Sequence, residues 1–238
     1  MALDRLIDLP VIHFLNQYAR QWEAFDLSVY DLANNFLLKS GIFMAFFWLL
    51  WFKRTGDGVF GERPRVISGL TGAVAAAIIG RTLQSTMKFH SRPLDNDAVG
   101  FIPPYGVDLL DHYHWSSFPS DHAVLFFALA TAVWLYSRKL GVLAYLWTLL
   151  VICLPRLYLG LHYPTDIIGG AVMGISIMTA AHIAMPLMPI SLICGWERRH
   201  PGPFYAVAFL ATFQIALLFN DARTIAADGL KIIGTLIN

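Results

Sequence analysis

Six apolar stretches, 34–52, 67–87, 120–137, 141–159, 165–190 and 203–220, dominate this 238-residue chain. A helix needs about 20 mainly apolar residues to cross roughly 30 Å of hydrocarbon, and each stretch approaches that length. No water satisfies backbone N–H and C=O groups inside a bilayer, so runs of this kind fold as helices. The expected fold class is all-α, an integral membrane six-helix bundle with an N-terminal amphipathic interfacial helix. The absence of repeats, low-complexity tracts and linkers reads as one domain over residues 1–238. Charged residues are only 14% of the chain, against about a quarter in soluble domains. A net charge of +1 lacks the basic excess of a nucleic-acid binder. Cys153 and Cys194 make no disulfide framework and read as small apolar filler.

Asp4, Arg5, Asp8, Arg20, Glu23 and Asp26 interrupt the first thirty residues, so no signal-peptide core forms and insertion is expected through internal spans. From Pro10, the residues Val11, Phe14, Leu15, Tyr18 and Trp22 recur at helical spacing, with Asn16, Arg20 and Glu23 largely elsewhere. This is an amphipathic helix expected in the interface or packed over the bundle. Lys39, near the outer end of the first span, is expected to snorkel. Lys53, Arg54, Arg63, Arg65, Arg138, Lys139, Arg198 and Arg199 fall in alternate loops. The positive-inside rule makes that side cytoplasmic and places the other loops and both termini outside.

On that outer face, three polar clusters end apolar runs, and polar groups at membrane depth are costly. The third reads Pro155-Arg156-Leu-Tyr-Leu-Gly-Leu-His162-Tyr-Pro164-Thr-Asp166. Pro164 suits a first helical position. Asp166, in the first turn, can orient His162 by one ring nitrogen and leave the other to attack. Equally, Asp166 can serve as a dipole-favoured helix-start charge beside an interfacial histidine. The second cluster, Ser116-Ser117-Phe-Pro119-Ser120-Asp121-His122, opens a helix whose first turn suits phosphate. Ser120 can donate to a phosphate oxygen and His122 to a leaving oxygen. Plain capping by Ser117 explains the serines but not the histidine. In the first cluster, spacings of seven and four place Arg81, Lys88 and Arg92 on one helical face. Arg92 has the planar fork for two phosphate oxygens and Lys88 a less directional charge; a solvated or snorkelling basic stripe is the alternative. Arg81 lies deeper and needs an anion or a wet cavity. No metal set accompanies these groups. Asp108, Asp111, His112 and His114 read as a solvated loop at the entrance, and Trp115 as an interfacial anchor.

These clusters resemble the phosphatidic acid phosphatase type 2 superfamily, whose motifs are Lys-x6-Arg-Pro, Pro-Ser-Gly-His and Ser-Arg-x5-His-x3-Asp. Here Pro155 replaces the serine of the third motif and Asp121 the glycine of the second. Arg92-Pro93 closes the first, where Ser85 stands at the lysine position and Lys88 or Arg81 is the candidate substitute. The resemblance covers residues 67 to 190 and implies a six-span helical bundle. It implies that His162 attacks phosphorus to form a phosphohistidine with Asp166 in support. His122 then protonates the leaving group and activates water, Arg92, Arg156 and Ser120 hold the phosphate, and no metal or other cofactor takes part. Phe118-Pro-Ser-Asp-His-Ala123 and the amphipathic start are most similar to bacterial undecaprenyl pyrophosphate phosphatases. That likeness implies a polyprenyl diphosphate substrate embedded in the bacterial inner membrane and a site on its outer face. Other lipid phosphates (phosphatidylglycerol phosphate, phosphatidate, lipid A), vanadate-dependent peroxidase chemistry and a non-enzymatic anionic-lipid bundle are the alternatives.

Overall fold

The computed structural model describes residues 4–53, 61–107 and 116–217. Asp108 to Trp115, Arg54 and the tail after Asp221 lie outside these residues. Among the described residues there is no strand. The helices are α1 (Leu9–Asn16), α2 (Glu23–Asn34), α3 (Ile42–Phe52), α4 (Arg63–Thr86), α5 (Asp121–Tyr136), α6 (Arg138–Trp147), α7 (Leu154–Tyr158), α8 (Pro164–Ile183), α9 (Ile190–Arg199) and α10 (Pro201–Ala216). All six predicted stretches contain apolar helix. Three helices, Arg63–Thr86, Arg138–Tyr158 and Pro164–Ile183, can cross a membrane by length and composition. A fourth span arises if the helices on either side of the break near Asn35 count together. Several apolar helices make this a multi-pass membrane protein.

The first predicted span is not one unbroken helix. Asn35 is extended (φ −76°, ψ 103°) and ends α2, and a π-helical turn over Leu37–Gly41 leads into α3. The span from Arg138 to Tyr158 also holds a π-helical turn, Thr148–Cys153, just before Pro155. Proline has no N–H to donate and its ring crowds the carbonyl four residues back. A wider turn accommodates both, and the chain continues to Arg156.

The chain divides into two compact units: residues up to Asn35 with Ser68–Pro186, and Phe36–Ile67 with residues from Leu187 onward. In the first unit, α5 is the central helix, with Ala123 to Ala130 almost wholly buried. It packs on α8 and α4 through Ala76, Val124, Ala128 and Met178, and on the Arg138–Tyr158 helix through Phe127 and Cys153. Gly174 makes the α5–α8 approach possible, since a Cβ there would lie 2.2 Å from the Val124 carbonyl oxygen. Gly170, one turn away, faces the Ser120 carbonyl in the same manner. Small residues at this spacing let helix backbones meet inside a membrane. The start of α8 is thereby set against the start of α5.

The N-terminal helix packs on this unit through Ile12 and Leu15, flanked by polar contacts. The Asn16 amide donates to the Ile102 carbonyl (2.7 Å) and its oxygen accepts from Ile102 N–H (2.8 Å). Asp8 accepts from the N–H and hydroxyl of Thr165 at the start of α8. Phe14 and Trp22 point outward, each 60% exposed. Phe14, Tyr18 and Trp22 of the expected apolar face thus lie outward, while Leu15 and the fully buried Ile12 pack inward beside Asn16. Buried polar side chains recover in paired hydrogen bonds what burial costs them, and the aromatic rings keep an outer surface suited to a membrane interface. Asp26, buried in α2, accepts from Arg20 N–H (2.9 Å), Tyr105 N–H (3.0 Å) and the Tyr158 hydroxyl. It ties the loop after α4 to the bundle.

In the second unit, Glu197 accepts from Tyr205 (2.6 Å) and pairs with Arg63 (2.8 Å), whose guanidinium lies over Trp51. Trp48 donates to Thr212 (3.3 Å) and Trp51 stacks on Phe204. Lys39 departs from expectation here. It is 1% exposed, its ammonium 4.6 Å from the Phe36 ring centre. A cation held on an aromatic face does not reach outward as snorkelling requires. Cys153 and Cys194 are both buried free thiols.

Candidate active site

The end of α4, the starts of α5 and α8, and the end of α7 meet at one end of the first unit. Backbone hydrogen bonds join them: Ser117 N–H to His90 O (2.7 Å), Ser120 N–H to Asp166 O (3.3 Å) and Leu94 N–H to Gly160 O (3.0 Å). All three sequence clusters therefore converge.

His162 is buried in the segment between α7 and α8. Its Nδ1 lies 2.8 Å from the Ser117 carbonyl oxygen. A carbonyl only accepts, so Nδ1 carries the proton and Nε2 carries the lone pair. The expected direct bond to Asp166 is not made: the nearer carboxylate oxygen is 3.8 Å from Nδ1. That oxygen instead accepts from Tyr163 N–H (2.7 Å), capping α8, and from the Ser117 hydroxyl. The carboxylate is 1% exposed and acts on the imidazole through space, at a separation where charge still counts.

His122, in the first turn of α5, is held on both ring nitrogens. Nδ1 lies 2.9 Å from Asp121 Oδ1 and Nε2 lies 2.9 Å from Arg156 Nη2. A carboxylate accepts and a guanidinium donates, so this ring also has its proton on Nδ1 and its lone pair on Nε2. Arg156 Nη2 donates as well to the Ala33 carbonyl (2.7 Å), and Arg156 is 8% exposed. Among the described residues, the buried Nε atoms of Arg156 and Arg92 have no hydrogen-bond acceptor. Buried donors of this kind call for an explanation, and a bound anion supplies one.

Ser120 caps α5, its hydroxyl oxygen accepting from Ala123 N–H (3.4 Å). Its hydroxyl proton is still available to donate. Ser117, considered as the cap, instead serves His162 and Asp166. Arg81, Lys88 and Arg92 do not share a helical face, because α4 stops at Thr86. Pro93 disfavours helical geometry at the preceding residue, and Arg92 is extended (φ −72°, ψ 159°). Lys88 is exposed. Arg81 stays on α4, bonded to Asp121 Oδ2 (3.0 Å) and Gln84 Oε1 (2.6 Å). Gln84 passes the contact on to the Ser116 carbonyl (2.9 Å).

Sequence reasoning missed His90, whose Nδ1 lies 3.8 Å from the second Asp166 oxygen and whose ring faces Tyr163. Its place between Lys88 and Arg92 was the available signal. It also missed the Ser117 and Ala33 carbonyls, which no side-chain motif records.

An all-helical membrane unit with two histidines, arginines and a buried carboxylate gathered at one end has the makings of a phosphoryl-handling site. Residues 56–187 match the PAP2 superfamily, and the chain belongs to that superfamily of membrane lipid phosphatases. Among its relatives, the bacitracin transport permease protein BcrC of Bacillus licheniformis is 28% identical over 171 residues, 71% of this chain and 76% of that protein. The lipid A 1-diphosphate synthase of Escherichia coli is 29% identical over 209 residues, 82% of this chain and 83% of that one. The undecaprenyl-diphosphatase BcrC of Bacillus subtilis is 31% identical over 114 residues, 46% and 52% of the two chains.

Proposed function

We propose that the protein removes the terminal phosphate of a polyprenyl diphosphate, undecaprenyl diphosphate in particular, on the outer face of a bacterial inner membrane. His162 Nε2 attacks the terminal phosphorus, and the bond from phosphorus to the bridging oxygen breaks. As Arg156 turns from His122 to the phosphate, His122 Nε2 takes up a proton from water; the lipid monophosphate leaves with that proton, and a phosphohistidine remains on His162. His122 then takes a proton from water as the water oxygen attacks phosphorus. The P–N bond breaks, and inorganic phosphate departs. Asp166 favours the positive charge His162 acquires on phosphorylation. Arg92, Arg156 and Ser120 bind the phosphoryl oxygens, Arg156 exchanging His122 for phosphate. Lys88, exposed and four residues before Arg92 in the chain, meets the diphosphate's second charge in this reading. The whole chain acts as one domain in this reading.

One observation carries it: both histidines have Nδ1 tied to an oxygen, which leaves Nε2 as the reacting nitrogen, and in the same cluster the buried Nε atoms of Arg92 and Arg156 have no acceptor among the described residues. Phosphate release from undecaprenyl diphosphate by purified protein in EDTA tests the proposal. Phosphatidylglycerol phosphate and phosphatidate serve as competing substrates. Acid-labile phosphate should be trapped on His162, and His162→Ala should release none. Full turnover by His162→Ala would overturn the mechanism.

The long match to lipid A 1-diphosphate synthase favours a second reading, in which the phosphohistidine is resolved by a lipid A phosphate rather than by water. Phosphorus-labelled donor with added lipid A separates the two, since label appears either on lipid A or as inorganic phosphate.

A further inference from the structure

The phosphatase reading assigns no task to Asp121, which stands where the superfamily motif carries glycine, and it gives Arg81 nothing to do at the phosphate. Both groups are nonetheless engaged. Asp121 uses one carboxylate oxygen for the His122 ring (Nδ1 at 2.9 Å) and for its own chain's His122 N–H (2.8 Å). The other oxygen meets Arg81 Nη1 at 3.0 Å. Arg81 is fixed in turn by Gln84, and Gln84 by the Ser116 carbonyl. Each link runs toward His122, and each joins groups whose charge or hydrogen-bonding capacity matches.

We infer that Asp121 and Arg81 are positioning residues for His122, forming an Arg81–Asp121–His122 relay that the superfamily motif lacks. Two side-chain contacts fix the imidazole, Asp121 Oδ1 on Nδ1 and Arg156 Nη2 on Nε2. Asp121 Oδ1 grips both the backbone and the ring of the next residue, so the ring cannot turn about its side-chain bonds without breaking a charge-assisted bond. The proton is thereby kept on Nδ1, and every acid–base event passes through Nε2. When Nε2 gains a proton, the imidazolium faces a carboxylate rather than low-dielectric protein. Arg81 on the second oxygen holds that carboxylate in place.

The relay contrasts with the support of His162. There the acceptor is a neutral backbone carbonyl, suited to a nucleophile that should enter the reaction uncharged. At His122 the acceptor is an anion, suited to a group that must alternate between imidazole and imidazolium. The charged groups facing this pair come from several elements. Arg156 approaches from α7 and Arg81 from α4, while His162 lies within electrostatic reach of Asp121 and Arg92 of Arg156.

The inference rests on the phosphatase reading for its kinetic test, and a spectroscopic test stands apart from turnover. A positioned acid matters most when the leaving oxygen is basic. An alkyl phosphate monoester expels an alkoxide, whereas p-nitrophenyl phosphate expels a stable phenolate. In the burst phase, which isolates formation of the phosphohistidine, Asp121→Asn should slow release from a short-chain phosphatidate by about 10- to 100-fold. Release of nitrophenolate should change by less than about threefold, because that leaving group needs no proton. KM should hold steady. Arg81→Met should show the same substrate-dependent loss, and combining it with Asp121→Asn should add nothing further. A raised KM in Arg81→Met with unchanged kcat would assign Arg81 to phosphate binding and overturn the relay. Equal losses on both substrates would reduce Asp121 to a structural helix-start charge.

Asp121→Gly restores the superfamily residue and is expected to fold. In histidine-labelled protein, a far-downfield imidazole proton correlated with His122 Nδ1 should be present in the parent chain and absent from Asp121→Gly. Persistence of that proton in the glycine variant would refute the Asp121–His122 contact whether or not the protein turns over any lipid.

Discussion

Replacing Asp166 by asparagine removes one negative charge and little else. The asparagine oxygen can take the position that accepts from Tyr163 N–H and the Ser117 hydroxyl. Its NH₂ group then occupies the place of the second oxygen, opposite His90. The helix cap survives, so the variant should fold with a melting temperature close to the parent's. Catalysis should not survive intact. As His162 bonds to phosphorus, its ring becomes cationic 3.8 Å from the carboxylate. At an effective dielectric constant of about 20, unit charges at that distance attract by about 4 kcal/mol. The neutral ring of the free enzyme gains almost none of this, so the attraction acts selectively on the transition state. At 1.36 kcal/mol per decade, Asp166→Asn should lower kcat by about three orders of magnitude. The assay is phosphate release from undecaprenyl diphosphate in detergent at saturating lipid, with a melting curve on the same sample. A folded Asp166→Asn protein retaining kcat within about tenfold of the parent would reduce Asp166 to a capping residue.

Ser117→Ala deletes a hydroxyl bond to a buried carboxylate while leaving the carbonyl that holds His162; it should cost about 1.5–3 kcal/mol of stability, read by thermal denaturation in detergent. Gly174→Ala forces a Cβ against the Val124 carbonyl oxygen at 2.2 Å. It should destabilise by about 1–3 kcal/mol and lower activity by parting the starts of α5 and α8. Asp26→Ala strands the N–H groups of Arg20 and Tyr105 and the Tyr158 hydroxyl. At about 1 kcal/mol or more for each lost bond, it should cost at least about 3 kcal/mol, and proteolysis within 93–107 should accelerate.

The residues proposed to do the chemistry stand out before the fold is known. His122, His162, Asp166, Arg92 and Arg156 stand out because ionisable groups at the ends of apolar helices are rare without a reason. What each one touches was not visible. A spacing of four residues between His162 and Asp166 suggests a direct bond, yet the carboxylate is drawn to the cap of α8 and to Ser117, a residue 49 positions away. The inner face of α1 is decided in a similar way. Hydropathy ranks Asn16 as outward-facing, and only the Ile102 backbone, 86 residues on, makes it an inner residue. Lys39 likewise looks like a snorkelling cation until Phe36 is seen beneath it.

Sequence alone determined the chain's solvent and its periodicity. Apolar runs of bilayer length dictate helices, and polar clusters at their ends gather at one end of the bundle, since both follow from local composition and counting. Tertiary structure decided the pairing of atoms: which oxygen takes each imidazole proton, and that Arg81 faces a carboxylate. Hydrogen bonds act over about 3 Å, and contacts of that length between distant residues depend on how closely helices such as α5 and α8 can approach.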